Sequence, residues 1–443
     1  MSAAELVALV CCDLGSIVRG RSVLASELAE HLRHGIGWVP ANSALTPHGP
    51  LADPNPFGST GDLRLLPDAA TRTRIEGGAR GEPLELVLCD IVELDGRPWE
   101  CCPRDFLREA AAELERELGA RVRASFEHEF QLLRASSPER DEPPALPFTL
   151  AAQRRVEPFP RELMGALLEA GLEPERFFAE YAPHQFELPL APAGALASAD
   201  RSVLLRELVH ELARRHGMRA SFGPLTDPGQ AGNGVHIHLS LLDGDGGSLF
   251  HDAARPGGLS ELAGQFAAGV LAHARALSAL TAASPVSGAR LAPHRWSAGA
   301  VCLARQNREA LLRVPPLVEL AGADPAGQLH LEYRGADAAA NPYLALGAIL
   351  RAGLLGVRER LAPPELLDCD PAELDAERAR RFGVGALPAT LEEALAALAE
   401  DAVVRGWLSP LLYDAYVSVK RAELEAAAEL DLAQLCQRYA AIY

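Results

Sequence analysis

Four short segments of this chain carry acidic, histidine and basic side chains at spacings that can do chemistry. In SFEHEF, residues 125–130, Glu127 and Glu129 stand two apart, so an extended strand presents both carboxylates on one face. Phe126, His128 and Phe130 then point the other way, although a solvated strand face gives the same pattern. In EYAPHQFE, Glu180 and Glu187 are an odd number of residues apart, which would separate them on an unbroken strand. Pro183 supplies a bend that can reunite them, and two unrelated surface acids are the plainer alternative. In GNGVHIHLS, His236, His238 and Ser240 alternate onto one face behind Gly232 and Gly234, which let backbone close on a ligand. A histidine satisfied within the core is the competing explanation for either imidazole. Finally, HLEYR puts Glu332 and Arg334 on one face, as a binding pair or simply as an intrastrand ion pair.

If these strands converge, five glutamates and His236 meet. Carboxylates that dense repel one another unless cations neutralise them. Oxygen-rich ligation with one imidazole suits magnesium or manganese rather than zinc. Arg290, Arg305, Arg308 and Arg313 fall in SGARLAPHRWSAGAVCLARQNREALLRV, a stretch rich in Ala, Val, Leu and Trp with almost no acids. Guanidinium forks there suit phosphate and carboxylate recognition. The combination points to a nucleotide polyphosphate and a carboxylate substrate; a solvated basic face is the alternative.

The elements that must position these groups are mixed. Residues 84–92 (LELVLCDIV) and the start of GDLRLLPD read as strands. A helix opens at Pro103, carries Phe106, Leu107, Ala110, Ala111, Leu114 and Leu118 on one stripe, and stops at Gly119. A domain boundary is expected there, giving an N-terminal domain over 1–102 and a larger one over 103–443. Residues 136–147 (SSPERDEPPALP) read as an acidic, proline-rich loop. Further helices are expected over 200–216, 259–283 and 341–361, and another from Thr390, with Glu393 completing a capping box. Strands are expected over 124–132, 186–190, 234–241 and 328–334. Strands and helices alternate without a strict βαβ rhythm, so the fold class is α+β.

Composition narrows the function. The 443 residues carry a formal charge of −18, which disfavours nucleic acid as a partner. No apolar run reaches bilayer length, and MSAAELVALVCCDLG lacks the basic start of a signal peptide, so no membrane contact and a cytoplasmic location are expected. The 8 cysteines form no CxxC pair and read as buried, reduced thiols. Lys420 is the single lysine, which nearly removes Schiff-base chemistry and a P-loop.

These segments, in this order, resemble the glutamine synthetase superfamily, and most closely its γ-glutamylpolyamine and other γ-glutamylamide synthetases. FEHEF is similar to the family's ExEF strand, GNGVHIHLS to GxGxHxHxS, NREALLRV to NRxxxxR, and LEYRGADAAANPYLAL to the xExRxxDxxANPYLxx signature. DLGSIVRGRSV and GDLRLLPDAAT resemble the family's small β-grasp-like N-terminal domain. The resemblance implies a catalytic domain built on an antiparallel sheet surrounded by helices. It implies one divalent metal (Mg²⁺ or Mn²⁺) on Glu129, Glu180 and Glu187, and a second on Glu127, His236 and Glu332. It places His238, Ser240, Glu175 and Arg313 against ATP, Arg308 at the reacting centre, and Arg290, Arg334 and the Gly232 backbone on glutamate. A lysine that the family has upstream of the xExR strand has no counterpart. Family members form homo-oligomeric rings, here expected as a dodecamer, with active sites between subunits.

Two acids of the family pattern are missing. Its RLxPGYEAP-like turn reads RLAPHRWS here, with Trp296 in place of the glutamate, and its FDGSS-like turn corresponds to GWVPANS, residues 37–43, without a carboxylate. In the family these acids bind ammonium and take its proton. An ammonium site needs nearby negative charge to compete with water, whereas tryptophan offers an apolar or cation–π surface. The expected function is therefore an ATP-dependent ligase that joins the glutamate γ-carboxylate to an organic amine, a monoamine or aromatic amine rather than a polycation, through a γ-glutamyl phosphate. His294 is a candidate base for the amine. Glutamine synthetase proper with a displaced ammonium site, a non-catalytic family member, and a barrel amidohydrolase using the HIH pair remain as alternatives.

Overall fold

The computed structural model describes residues 4–77, 81–134 and 145–443. Of the acidic loop expected over 136–147, everything before residue 145 lies outside these. The first part of the chain builds a six-stranded sheet from β1 (Leu6–Cys12), β2 (Val18–Leu24), β3 (Ile36–Trp38), β4 (Leu63–Pro67), β5 (Thr73–Ile75) and β6 (Leu84–Val92). The spatial order is β2-β1-β6-β4-β3, with β5 also on β6. The middle strand β6 is almost continuously apolar because it is covered on both faces, from Glu85 to Val92 nearly every residue being buried.

The helix Pro103–Leu118 follows. Proline occupies its first position, and Gly119 ends it in the left-handed conformation at φ 60°. Its apolar stripe, with Phe106, Leu107, Ala110 and Leu114 buried, packs against the long helix Pro342–Arg358.

The second sheet has nine strands: β7 (Arg121–Arg134), β8 (Phe178–Ala179), β9 (Gln185–Pro189), β10 (Ala193–Gly194), β11 (Met218–Ser221), β12 (Val235–Leu242), β13 (Ala300–Arg305), β14 (Ala310–Val314) and β15 (Leu331–Tyr333). They run in the order β13-β14-β15-β12-β7-β9-β8, with β10 and β11 also on β7, and every pair from β14 to β8 is antiparallel. One face packs on helices, among them Ala195–Arg215. There His128 is 1% exposed and its Nε2 lies 2.8 Å from Ser202 Oγ. The fold is α+β, as the sequence predicts.

The two sheets share one apolar core and a charged seam. Arg104 forks onto Asp200 at 2.9 and 2.8 Å and reaches Asp90 and Asp68 at 2.7 and 2.9 Å. Asn341, which caps the Pro342–Arg358 helix by accepting from the Tyr343 and Leu344 N–H groups, also donates to the Asp13 carbonyl at 2.9 Å.

Several sequence expectations need correction. The helix expected over 259–283 is two helices, Glu261–Ala272 and Ala274–Thr281, broken at His273, whose Nδ1 lies 2.6 Å from Asp401. Thr390 does cap its helix, but Glu393 accepts from the Ala389 N–H one residue further back, so the reciprocal box is not closed. The strand over 328–334 shrinks to Leu331–Tyr333, because Asp324 caps a helical turn at Pro325–Gln328. All cysteines are free and all but Cys369, which is half-buried, are buried.

Candidate active site

Strand register assembles the site. Glu187 on β9 stands opposite Glu129 on β7, Glu127 on β7 opposite His236 on β12, and His238 on β12 opposite Glu332 on β15. Arg313 on β14 is the next neighbour of Glu332. Alternation within each strand then puts all these side chains on one face, lining a cavity of about 1010 Å³. Glu180 joins them through the tight β8–β9 turn. That turn contains Pro183 and holds His184 at φ 57°, and the Glu180 N–H closes it on the Gln185 carbonyl at 2.8 Å.

The carboxylates lean on one another. Burial, then the neighbouring acids, pushes Glu187 up to about 12 and Glu180 to about 7. Burial raises Glu129 as well. Glu332 goes the other way: burial opposes ionisation, yet Arg334 and the histidines outweigh it and hold the group at about 2. His236 Nδ1 lies 3.2 Å from Glu127 and 3.8 Å from Glu332, while His238 Nε2 lies 3.3 Å from Glu127. Donor atoms of Glu127, His238 and Glu332 all fall within 4.8 Å of one another. The sequence reading gave His236 to a metal and His238 to ATP; in this geometry both imidazoles face the same carboxylates. Three acids raised by burial and by one another, beside Glu127 and Glu332, which are held low, and two imidazoles, fit divalent cations with oxygen-rich ligation.

The arginines are fixed to different degrees. Arg334 is spent on protein: it donates to Glu332, to the Trp296 carbonyl at 2.8 Å and to the Arg308 carbonyl at 3.1 Å. Arg290 is 3% exposed, donates to the Ala336 carbonyl at 2.9 Å, and keeps a buried Nε that makes no hydrogen bond and lies 3.8 Å from Asp337. Its stem explains Gly232, where a Cβ would come within 2.6 Å of Arg290 Cγ and 2.3 Å of the Pro224 carbonyl. Arg313 donates to Glu332 at 2.7 Å, and Arg308 is exposed into the cavity. Ser240 and the exposed Glu175 also line it, the latter 3.6 Å from Arg176.

Trp296 lies at the cavity wall, 60% exposed and at φ 54°. Its N–H and that of His294 both donate to the Glu309 carboxylate, at 2.9 and 3.0 Å. Sequence reasoning missed Glu309, although it is the one acid in the arginine-rich stretch. It also missed His330, whose Nε2 lies 3.0 Å from His238 Nδ1, and Gln185, which donates to Glu129 at 3.1 Å and to the Gly232 carbonyl at 2.9 Å.

Known proteins resemble the whole chain. Residues 1–99 match the glutamine synthetase N-terminal domain and residues 100–435 the glutamine synthetase catalytic domain. The chain is 35% identical to the gamma-glutamylpolyamine synthetase GlnA3 of Streptomyces coelicolor, over 96% of this chain and 91% of that one. It is 31% identical to the glutamine synthetase of Methanocaldococcus jannaschii, over 82% and 79%. A crystal structure described as a novel glutamine synthase homolog superposes with a TM-score of 0.91 at 44% identity, covering 100% of this chain and 99% of that one. A GmaS/ADP complex superposes at 0.80 with 27% identity, covering 97% and 95%. With both parts of the chain matched, it belongs to the glutamine synthetase family of ATP-dependent ligases.

Proposed function

We propose that this ligase joins the γ-carboxylate of glutamate to an organic amine, with ATP converted to ADP and phosphate. The observation that carries the reading is the acceptor side of the cavity. Where the family's turn holds a glutamate, Trp296 lines the wall, and the corresponding small-domain stretch, residues 37–43, has no acid. Among the described residues lining the cavity, the only acid outside the metal-type set is Glu175, and it lies beside Arg176. Outside the metal-type set, the described residues offer a small hydrated cation little of the charge it needs to leave water. The name of the Streptomyces relative, a γ-glutamylpolyamine synthetase, supports an amine acceptor in this lineage.

In this reading Glu129, Glu180 and Glu187 hold one divalent cation and Glu127, His236 and Glu332 another, Mg²⁺ or Mn²⁺, with His238 able to share the second. Such ions offset charge during phosphoryl transfer. Arg290 and the Gly232 backbone orient glutamate, while Arg334 braces Glu332 and the Trp296 carbonyl. Glu175, His238, Ser240 and Arg313 face the nucleotide. A glutamate γ-carboxylate oxygen attacks the γ-phosphorus and ADP leaves. Arg308 and Arg313 steady the charge on the transferred group. The amine nitrogen then attacks the carbonyl carbon, phosphate leaves with the C–O electron pair, and the amine gives up a proton, for which His294 at the cavity wall is the candidate acceptor. We also infer a ring assembly, a dodecamer, with sites between subunits, and a cytoplasmic location in keeping with free thiols; among the described residues no helix is long and apolar enough to cross a membrane.

Phosphate release from ATP with glutamate and Mg²⁺ or Mn²⁺ tests this, comparing ammonia with a panel of amines. Release with an amine class at a kcat/KM well above that for ammonia is expected. A preference for ammonia would return the chain to glutamine synthesis.

A further inference from the structure

Phe148, Tyr181 and Trp296 line one end of the cavity with 50%, 57% and 60% of their surfaces exposed. Their rings stand in a row. Phe148 and Tyr181 have centroids 6.5 Å apart at 55°, and Tyr181 and Trp296 are 6.0 Å apart at 50°. At those tilts no ring lies flat on its neighbour, so the rings do not cover one another's faces. Phe148 and Trp296 also sit at φ 60° and 54°, a backbone region that bulky side chains rarely adopt. Exposed rings on unfavourable backbone gain nothing from core packing, and such strain concentrates at ligand sites.

The row is held in place from both sides of the chemistry. Tyr181 follows Glu180 and its N–H donates to that carboxylate at 3.0 Å. The Trp296 carbonyl accepts from Arg334 and its N–H donates to Glu309. Position also separates the row from the nucleotide. Ser240 pairs with Arg123 at one end of β7, whereas the turn carrying Tyr181 is tied to Gln131 at the other, where Gln131 donates to the Pro183 carbonyl at 3.1 Å. That is roughly 26 Å of strand, so the rings are not a bed for an adenine bound near Ser240. The charge beside them is of both signs: Glu180 precedes Tyr181, and Arg295 precedes Trp296 and is anchored on the Gln230 and Pro228 carbonyls at 2.9 and 3.0 Å.

We propose that Phe148, Tyr181 and Trp296 form the subsite for the body of the acceptor, and that the acceptor is a primary monoamine with an aromatic body, an arylalkylamine. The subsite rests on the amide-ligase reading above and deepens it. The ring row takes the aromatic body edge-to-face, and the amine reaches in between Glu180 and Arg334. A diamine of similar length would bring its second ammonium toward the Arg295 guanidinium, and both Glu309 oxygens are taken by backbone N–H groups.

The test is amide formation by the full-length enzyme with ATP, glutamate and Mg²⁺, using 2-phenylethylamine, 1,4-diaminobutane, methylamine and ammonia, each alone. The highest kcat/KM is expected for 2-phenylethylamine, and Phe148→Ala and Tyr181→Ala are each expected to raise its KM about tenfold while the KM for ATP stays within about twofold. Best turnover with 1,4-diaminobutane or methylamine would overturn the aromatic subsite and leave the amide-ligase reading standing. Best turnover with ammonia, or none with any of the four, would overturn both. An unchanged KM for 2-phenylethylamine in both variants would overturn the subsite even if that amine were preferred.

Discussion

Trp296 is a single side chain on which the acceptor reading turns, because the family pattern has a carboxylate at its position. Trp296→Glu restores negative charge at the wall and removes a bulky ring. The expected outcome is a rise of about tenfold or more in the ratio of ammonia to amine kcat/KM, the scale of one unscreened charge contact. Steady-state rates with both acceptors check it, and an unchanged ratio would remove the electrostatic argument. The residue types at the centre were legible from sequence because alternation is a local rule: Glu127 and Glu129 share a face wherever their strand goes. His330 and Gln185 were not. Each acts by touching a residue far away in sequence, His238 and Glu129 respectively, and no local periodicity encodes that contact.

At the scale of elements, the site is a product of register. Glu129 faces Glu187 and Glu127 faces His236 because β7 lies between β9 and β12, and a one-residue slip would turn either partner to the helical side of the sheet. Spacing within each segment foretold faces but not neighbours, since strand pairing is decided by tertiary packing. The same limit explains the helix over 259–283. Its apolar pattern runs on without interruption, and only the distant Asp401 that receives His273 shows where it breaks. In the loop of residues 293–297, the Glu309 carboxylate accepts from His294 and Trp296, both in left-handed backbone, beside the anchors that Arg295 and Arg334 supply. Glu309→Ala removes both acceptors and is expected to raise the KM for the amine about fivefold or more, on the scale of one to two hydrogen bonds, with the KM for ATP nearly unchanged. Glu309→Gln, which keeps one acceptor oxygen, should recover part of the loss. Equal effects on both KM values would mean a general loss of folding rather than a positioned loop.

Across the whole molecule, the small sheet and the catalytic sheet are joined by apolar packing and by the buried guanidinium of Arg104, shared among Asp68, Asp90 and Asp200. Arg104→Ala strands Asp200 in the interior, which is expected to cost about 3–5 kcal/mol. A lowered melting temperature with metal-site residues untouched is the measurement; an unchanged one would mean that Asp200 finds compensation in Tyr343, whose hydroxyl already donates to it at 2.7 Å. The α+β class was readable from the chain because strands and helices carry different periods. The seam was not, because Arg104 reads as one more polar residue near the start of a helix. What the assembled molecule joins to glutamate is read from its products. The most direct measurement gives the enzyme ATP, glutamate, Mg²⁺, ammonia and a primary amine together, at equal acceptor concentrations, and identifies the products by mass. The γ-glutamyl amide of the amine is expected as the main product, with little glutamine. Glutamine as the main product would contradict it.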